Sequence, residues 1–185
     1  MSTKTSLLFG ICFVSYSLIA QTGPFSRFDF LIGKWSGTGS GFGNESSIIE
    51  SGFHYAMDEH YIEVRNESLF EPTDEKPDGD YHLDWGFISY DKAREKIVYR
   101  QFNTEGYVNQ YILIDSLSND SALVFETENS ENFIPGGKAR WTIRKLAPDN
   151  IETLFDLFIP GKGYTCMGIN SLHKKNKHAN QSMLH

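Results

Sequence analysis

Hydrophobic and polar residues alternate along this chain in short runs, and Gly, Pro, Asn or Asp interrupts each run at close spacing. A period of two sends successive side chains to opposite faces of a strand, so regularly broken alternation predicts an all-β sandwich or barrel. The runs fall near 33–42, 46–57, 60–70, 81–91, 95–103, 107–115, 121–128, 138–146, 150–159 and 163–173, which makes about ten strands. Short connections imply antiparallel hairpins between sequence neighbours. The longer loops at 71–80 (EPTDEKPDGD) and 128–137 (ENSENFIPGG) are candidate lids at an opening.

One register can be read directly. If Asp58-Glu59 is the turn, Tyr55 faces Ile62, Phe53 faces Val64 and Met57 faces His60 on one side, while His54 faces Glu63 on the other. The first set is largely apolar and the second charged, as a sheet with one wet face requires, and the same reasoning puts Met57 and His60 on the inner face near a rim. Helical spacing occurs once, in Phe25–Leu31 (FSRFDFL), short enough to form a turn or two that plugs one end of the sheet.

The first strand is unusual. Trp35, Gly37, Gly39 and Gly41 share one face, and Lys34, Ser36, Thr38 and Ser40 the other. Glycine weakens a strand unless the chain bends sharply there or something approaches closely, so the strip reads as a bend at barrel closure, a ligand approach, or both. Closing the sheet also removes its edges, which an exported chain without disulfides must protect. A barrel of about ten strands is too wide to be filled by side chains and too narrow for an aqueous pore, so its interior is expected to be a cavity for a small molecule.

Before Gln21, a short basic start (MSTK) and the apolar run Ser6–Ala20 read as a secretory signal peptide, too short to span a bilayer comfortably. The expected organisation is a signal peptide at 1–20, a β-barrel domain at 21–174 and a disordered polar tail at 175–185, exported to a periplasmic or extracellular compartment with no membrane span after cleavage. The net charge of −7 and the lack of a basic cluster outside HKKNKH (173–178) argue against nucleic acid as a partner. Cys166 is the one cysteine beyond Ala20, so no disulfide can form within the mature chain. With no base near it in sequence, it reads as a small buried filler.

The run Gly33-Lys34-Trp35-Ser36-Gly37-Thr38-Gly39-Ser40-Gly41 resembles the opening G-x-W-x-G-x-G-x-G strand of nitrobindin-type barrels, and more loosely the G-x-W start of lipocalins and fatty-acid-binding proteins. Trp85-Gly86-Phe87-Ile88-Ser89-Tyr90-Asp91 and Phe102–Gly106 are similar to exported barrels of the domain-of-unknown-function type in the same calycin superfamily. The resemblance implies a ten-stranded up-and-down barrel and, for nitrobindin, haem held by a histidine late in the chain. Under that alternative His60 or His173 would be the axial ligand. After Gly41 the chain departs from the nitrobindin pattern, reading Phe42-Gly43-Asn44-Glu45 where a tyrosine-proline segment is expected.

The expected function is therefore a barrel that holds a small hydrophobic or amphipathic molecule inside. Trp35, Phe53, Tyr55, Ile62, Val64 and Trp85 would supply lining or end-plugging bulk, Gly37 and Gly39 close access, and His60 and Arg100 polar anchors. Arg100 could meet a ligand carboxylate or lie outward in an ion pair, and Trp141 on the inner face would turn its neighbour Arg140 outward. His82 and Asp84 share a strand face but lack a third ligand, so no metal site is assigned and the two read as a surface or rim pair. The acidic residues fall mostly at loop and outward positions, which leaves no carboxylate pair to propose. Catalysis is the lesser expectation: a cofactor-free isomerase or cyclase acting on a lipophilic substrate would need a titratable group deep in the cavity.

Overall fold

The computed structural model describes residues 23–41, 45–74 and 76–175. The signal-peptide reading, and the tail beyond Lys175, lie outside the described residues. Ten antiparallel strands follow one another around a closed barrel: β1 (Gly33–Gly41), β2 (Glu45–Ala56), β3 (Tyr61–Phe70), β4 (Asp80–Asp91), β5 (Lys96–Asn103), β6 (Val108–Leu113), β7 (Ala122–Glu131), β8 (Lys138–Ala147), β9 (Asn150–Ile159) and β10 (Gly163–Lys174). Each strand pairs with its sequence neighbours, and β1 closes the barrel on β10. This is the predicted meander, with β7 longer by one turn of the pleat than the sequence suggested.

Closure explains the glycine strip. A Cβ on Gly37 would lie 1.9 Å from the carbonyl oxygen of Ser171, and one on Gly41 2.2 Å from that of Met167. At Gly39 it would meet the side chains of Asn170, Ser47 and Ile49. The seam between β1 and β10 therefore coils too tightly for any larger residue at these positions. A bulge in β10 between Cys166 and Gly168 increases the local twist on the same side.

The predicted β2–β3 register is the observed one: Phe53 opposes Val64, His54 opposes Glu63 and Tyr55 opposes Ile62. Met57 and His60 correct the expectation of an inner face. Met57, Asp58 and Glu59 all take positive φ (51°, 53° and 62°), and the chain turns away from the lumen. Met57 lands on the outside, two-thirds exposed, and the ring of His60 lies exposed with Nδ1 2.9 Å from the Met57 carbonyl oxygen.

The barrel has two unlike halves. The end bearing the β2–β3, β4–β5, β6–β7 and β8–β9 turns is plugged by a 3₁₀ turn, Ser26–Phe28, whose Phe28 is buried together with the adjoining Phe25 and Leu31. They meet Trp35, Phe53, Ile62, Val64, Ile88, Phe125 and Ile143 in one core. Phe53 stacks on Trp141 and Tyr99 on Tyr111, with centroids 6.3 Å and 5.6 Å apart. The Trp35 indole N–H donates to the Leu31 carbonyl at 2.7 Å, tying plug to barrel. The opposite half is hollow.

Candidate functional site

The hollow half contains a cavity of about 610 Å³ that opens between the β1–β2, β3–β4, β5–β6, β7–β8 and β9–β10 connections. Its size follows from the side chains that alternate into it. In the plugged half the inward positions carry Phe, Trp, Ile and Val; past Ile49, Val64, Tyr99 and Phe125 they become Ser47, Asn66, Ser68, Gln101, Asn103 and Thr127. Small and polar residues neither fill the tube nor exclude water.

The wall is divided. One side, built by β3, β4, β5 and β6, is polar: Asn66, Ser68, Asp80, His82, Asp84, Gln101, Asn103 and Asn109. The other side, from β8, β9 and the β7–β8 loop, presents Trp141, Ala139, Phe155, Leu157 and Phe133. At the floor the Tyr111 hydroxyl donates to Gln101 Oε1 at 3.2 Å, and Asn109 Nδ2 donates to the same oxygen at 3.0 Å. Tyr99 stands fully enclosed against Tyr111, and among the described residues its hydroxyl meets no partner at good hydrogen-bond geometry. Burial, and after it the Asp84 charge, hold both phenols protonated well above their ordinary range.

His82 dominates the electrostatics. Its Nε2 lies 3.1 Å from Asp84 Oδ2 and its Nδ1 2.6 Å from Glu105 Oε1. Partial burial works against its charge, but the hydrogen bonds and charges of Asp84 and then Glu105 prevail and raise its pKa to about 9. At neutral pH the ring is an imidazolium clamped between two carboxylates. Lys76, from the β3–β4 loop, pairs with Asp80 at the rim.

His82 and Asp84 are thus not on the outer surface: they line the cavity just inside its rim, and Glu105 brings a second carboxylate to the pair, which no sequence pattern proposed. The cluster is not a metal centre: Asp84 and Glu105 bind opposite nitrogens of one ring and so do not converge on a point, and no grouping suited to a metal occurs among the described residues.

The residues expected to line the site are dispersed. Trp35, Phe53, Ile62 and Val64 are inward but belong to the filled half. Tyr55 is half-buried beside the plug, where its hydroxyl donates to Asp29 at 2.6 Å; burial and that contact raise its pKa to about 12. Gly37 and Gly39 lie at the β1–β10 seam, and of the strip only Gly41 reaches the cavity wall. Trp85 is a correction: it points outward, nearly half exposed, with its indole N–H on Glu63 at 2.8 Å. Arg100 is another, exposed on the outer face and donating to Ser89 Oγ at 3.0 Å. It borders a surface recess of about 270 Å³ with Met57, Tyr61, Phe87 and Phe102. Arg140 is outward as expected, paired with Glu126, while Trp141 is inward. Cys166 is exposed on β10 rather than a buried filler.

None of the described histidines is placed to hold a haem iron inside the barrel. His54, His60 and His173 are on the outside, the last with Nδ1 2.5 Å from Asn150 Oδ1. His82 does face the lumen, but both of its ring nitrogens already bear carboxylates, so among the described histidines none offers a free lone pair to a metal inside the lumen.

No protein-family model matches the chain, and no curated protein matches it. In structure it is similar to Rv2717c from M. tuberculosis, with a TM-score of 0.61 and 14% identity over 84% of this chain and 99% of that one. Weaker similarity extends to the S-type phycobiliprotein lyase CPES from Guillardia theta (TM-score 0.48, 12% identity, 84% and 94% covered). A de novo designed fluorescence-activating β-barrel gives 0.41, with 11% identity and 80% and 95% covered. At 14% identity the likeness to Rv2717c is one of fold alone.

Proposed function

We propose that this protein binds a small amphipathic molecule in the open half of its barrel. The carrying observation is the divided cavity of about 610 Å³, in which a hydrogen-bonding wall faces an aromatic one across a space of ligand size. A purely apolar guest would strip water from Asn66, Asn103 and the Asp84–His82 pair without replacing its hydrogen bonds, and a purely polar one would gain nothing from Trp141, Phe155 and Leu157. The binding surface thus lies beyond the residues expected from sequence, and the filled half serves as its rigid base. The apolar run before Gln21 supports export of the mature chain. The first-strand likeness to nitrobindin supports a relation in fold, while no described histidine is free to bind iron in the lumen.

A second reading is favoured by one observation. His82 is a titratable group inside the cavity, the feature a cofactor-free isomerase or cyclase would require. Its proton is held tightly by two carboxylates, which suits electrostatic stabilisation of a polar group better than proton transfer at neutral pH.

The test is native mass spectrometry of the chain purified from its own host. A co-purifying mass should be present in the wild type, persist in Trp85→Ala on the outer face, and be lost in Ser68→Trp, which fills the lumen. A guest retained by a correctly folded Ser68→Trp variant would move the site elsewhere.

A further inference from the structure

The lumen's polar wall carries a net charge, and its sign names the class of guest. Asp84, His82 and Glu105 form a carboxylate–imidazolium–carboxylate row of net charge −1, while Asp80 and Lys76 cancel each other at the rim. Both cationic groups lining the cavity among the described residues are thus engaged by carboxylates, and one negative charge is left over inside a half-enclosed space. The mouth has the same sign: Glu71, Asp74 and Asp78 in the β3–β4 connection and Glu131 at the end of β7 are exposed, against Lys138 at the start of β8 and Lys162 in the β9–β10 connection. Low-dielectric walls focus such a field and raise the local concentration of ions of opposite charge. In the same cavity Trp141 on β8 and Phe155 on β9 contribute aromatic lining, and aromatic surface attracts a cation's apolar surroundings as well as its charge.

We infer that the guest is an amphipathic cation, a molecule with one protonated or quaternary nitrogen on an apolar body, its nitrogen at the Asp84–His82–Glu105 row and its body against the aromatic wall. This rests on the lumen being the binding site and excludes fatty acids and phosphate esters as the favoured class, since a carboxylate or phosphate would enter a negative chamber with no uncommitted cation among the described residues to receive it.

A fixed-charge probe makes the inference testable, because its own titration cannot confuse the result. The groups facing His82 are Asp84 on its own strand, Asp80 near it at the strand's start, Glu105 from the β5–β6 loop and uncharged Ser68 on β3. Tyr99 and Tyr111 beneath them keep their protons throughout. Between pH 7 and 9.5, His82 is therefore the group in this row that changes charge, and its loss of a proton makes the chamber more negative.

Isothermal titration would compare trimethyl(4-phenylbutyl)ammonium, 4-phenylbutan-1-ol and 4-phenylbutanoate, which share a body and differ in charge. The ammonium ion should bind at least about tenfold more tightly than the carboxylate, a gap of about 1.4 kcal/mol, with the alcohol between them. Its affinity should rise severalfold from pH 7 to 9.5 and should rise likewise at pH 7 in His82→Gln. A gain of affinity is an outcome that misfolding does not imitate. Glu105→Gln, at the exposed rim, should lower it. Equal binding of the three probes, or a preference for alcohol or carboxylate, would overturn the charge assignment and leave the lumen as the site. Failure of all three to bind, or binding undiminished by Ser68→Trp, would overturn the lumen reading itself.

Discussion

Trp35 and Leu31 are joined by a hydrogen bond from indole Nε1 to a main-chain carbonyl, 2.7 Å long, between two residues that are both closed to solvent. Four residues apart in sequence, they join the end of the plug to the start of the barrel. Trp35→Phe removes the donor, leaves the Leu31 carbonyl buried without it and opens a void, so a loss of about 2–4 kcal/mol is expected. Trp85→Phe breaks a comparable bond to Glu63 on the wet face and should cost less than about 1 kcal/mol. Urea denaturation of the two variants side by side checks the contrast.

Gly37 has a backbone that any residue could adopt but no room for a side chain. Alanine there must push its Cβ away from the Ser171 carbonyl, 1.9 Å distant, which means parting β1 from β10. Gly37→Ala is expected to destabilise the barrel by about 1–3 kcal/mol or more, whereas Gly23→Ala, with open space around it, should be neutral. Equal midpoints for the two would show that the seam is looser than described.

Glu126 ties the outer faces of β7, β8 and β10 together, accepting hydrogen bonds from Lys138, Arg140 and Tyr164 at 2.8, 2.9 and 2.6 Å. Partial burial disfavours its charge, but Lys138, Tyr164 and Arg140 in turn outweigh that and lower its pKa to about 2. A depressed carboxylate contributes stability above its ordinary pKa of about 4.5 and loses it as pH falls through about 2. Glu126→Gln should therefore be destabilised at pH 7, and the gap from wild type should close on acidification towards pH 2. Thermal unfolding across that range would read it directly; a pH-independent gap would mean packing, not charge, is at stake.

His82 has the opposite sign. Its pKa is raised from 6.5 to about 9, so its contribution is fully present below about 6.5 and disappears as pH rises through about 9. Wild type should lose on the order of 1–2 kcal/mol between pH 6.5 and 10 after allowance for partial exposure. His82→Gln should lose less over the same interval. An imidazole NMR titration placing His82 near 6.5 would refute the clamp.

Haem reconstitution is expected to give no Soret band, because His54, His60 and His173 face outward and both nitrogens of His82 are engaged. A Soret band abolished by His82→Gln would instead mean that Asp84 or Glu105 releases the ring.

Strand positions, the meander and the Phe53–Val64 register were legible because turn residues and a period of two are local signals. Facing was legible only where the interior is dry. In β4 the apolar alternate set is Leu83, Trp85 and Phe87, which the rule of apolar residues inward assigns to the lumen; the lumen in fact receives His82 and Asp84. That rule presupposes a filled core, and it fails in the half of the barrel that is open to water. Met57 and His60 went astray for a different reason: three consecutive positive φ angles, at non-glycine residues, turn the chain outward with no residue type to announce it.

The sequence by itself determined a meander of about ten strands, a helical turn suited to plugging one end and a glycine-rich first strand, since each follows from residue periodicity, turn chemistry or the lack of a Cβ. Tertiary structure decided where the cavity lies and what charge it carries. Glu105 reaches His82 from a loop 23 residues away in sequence, and Trp141 and Phe155 line the same cavity from strands remote in the chain. Convergence of that kind depends on closure of the barrel, which no local pattern encodes.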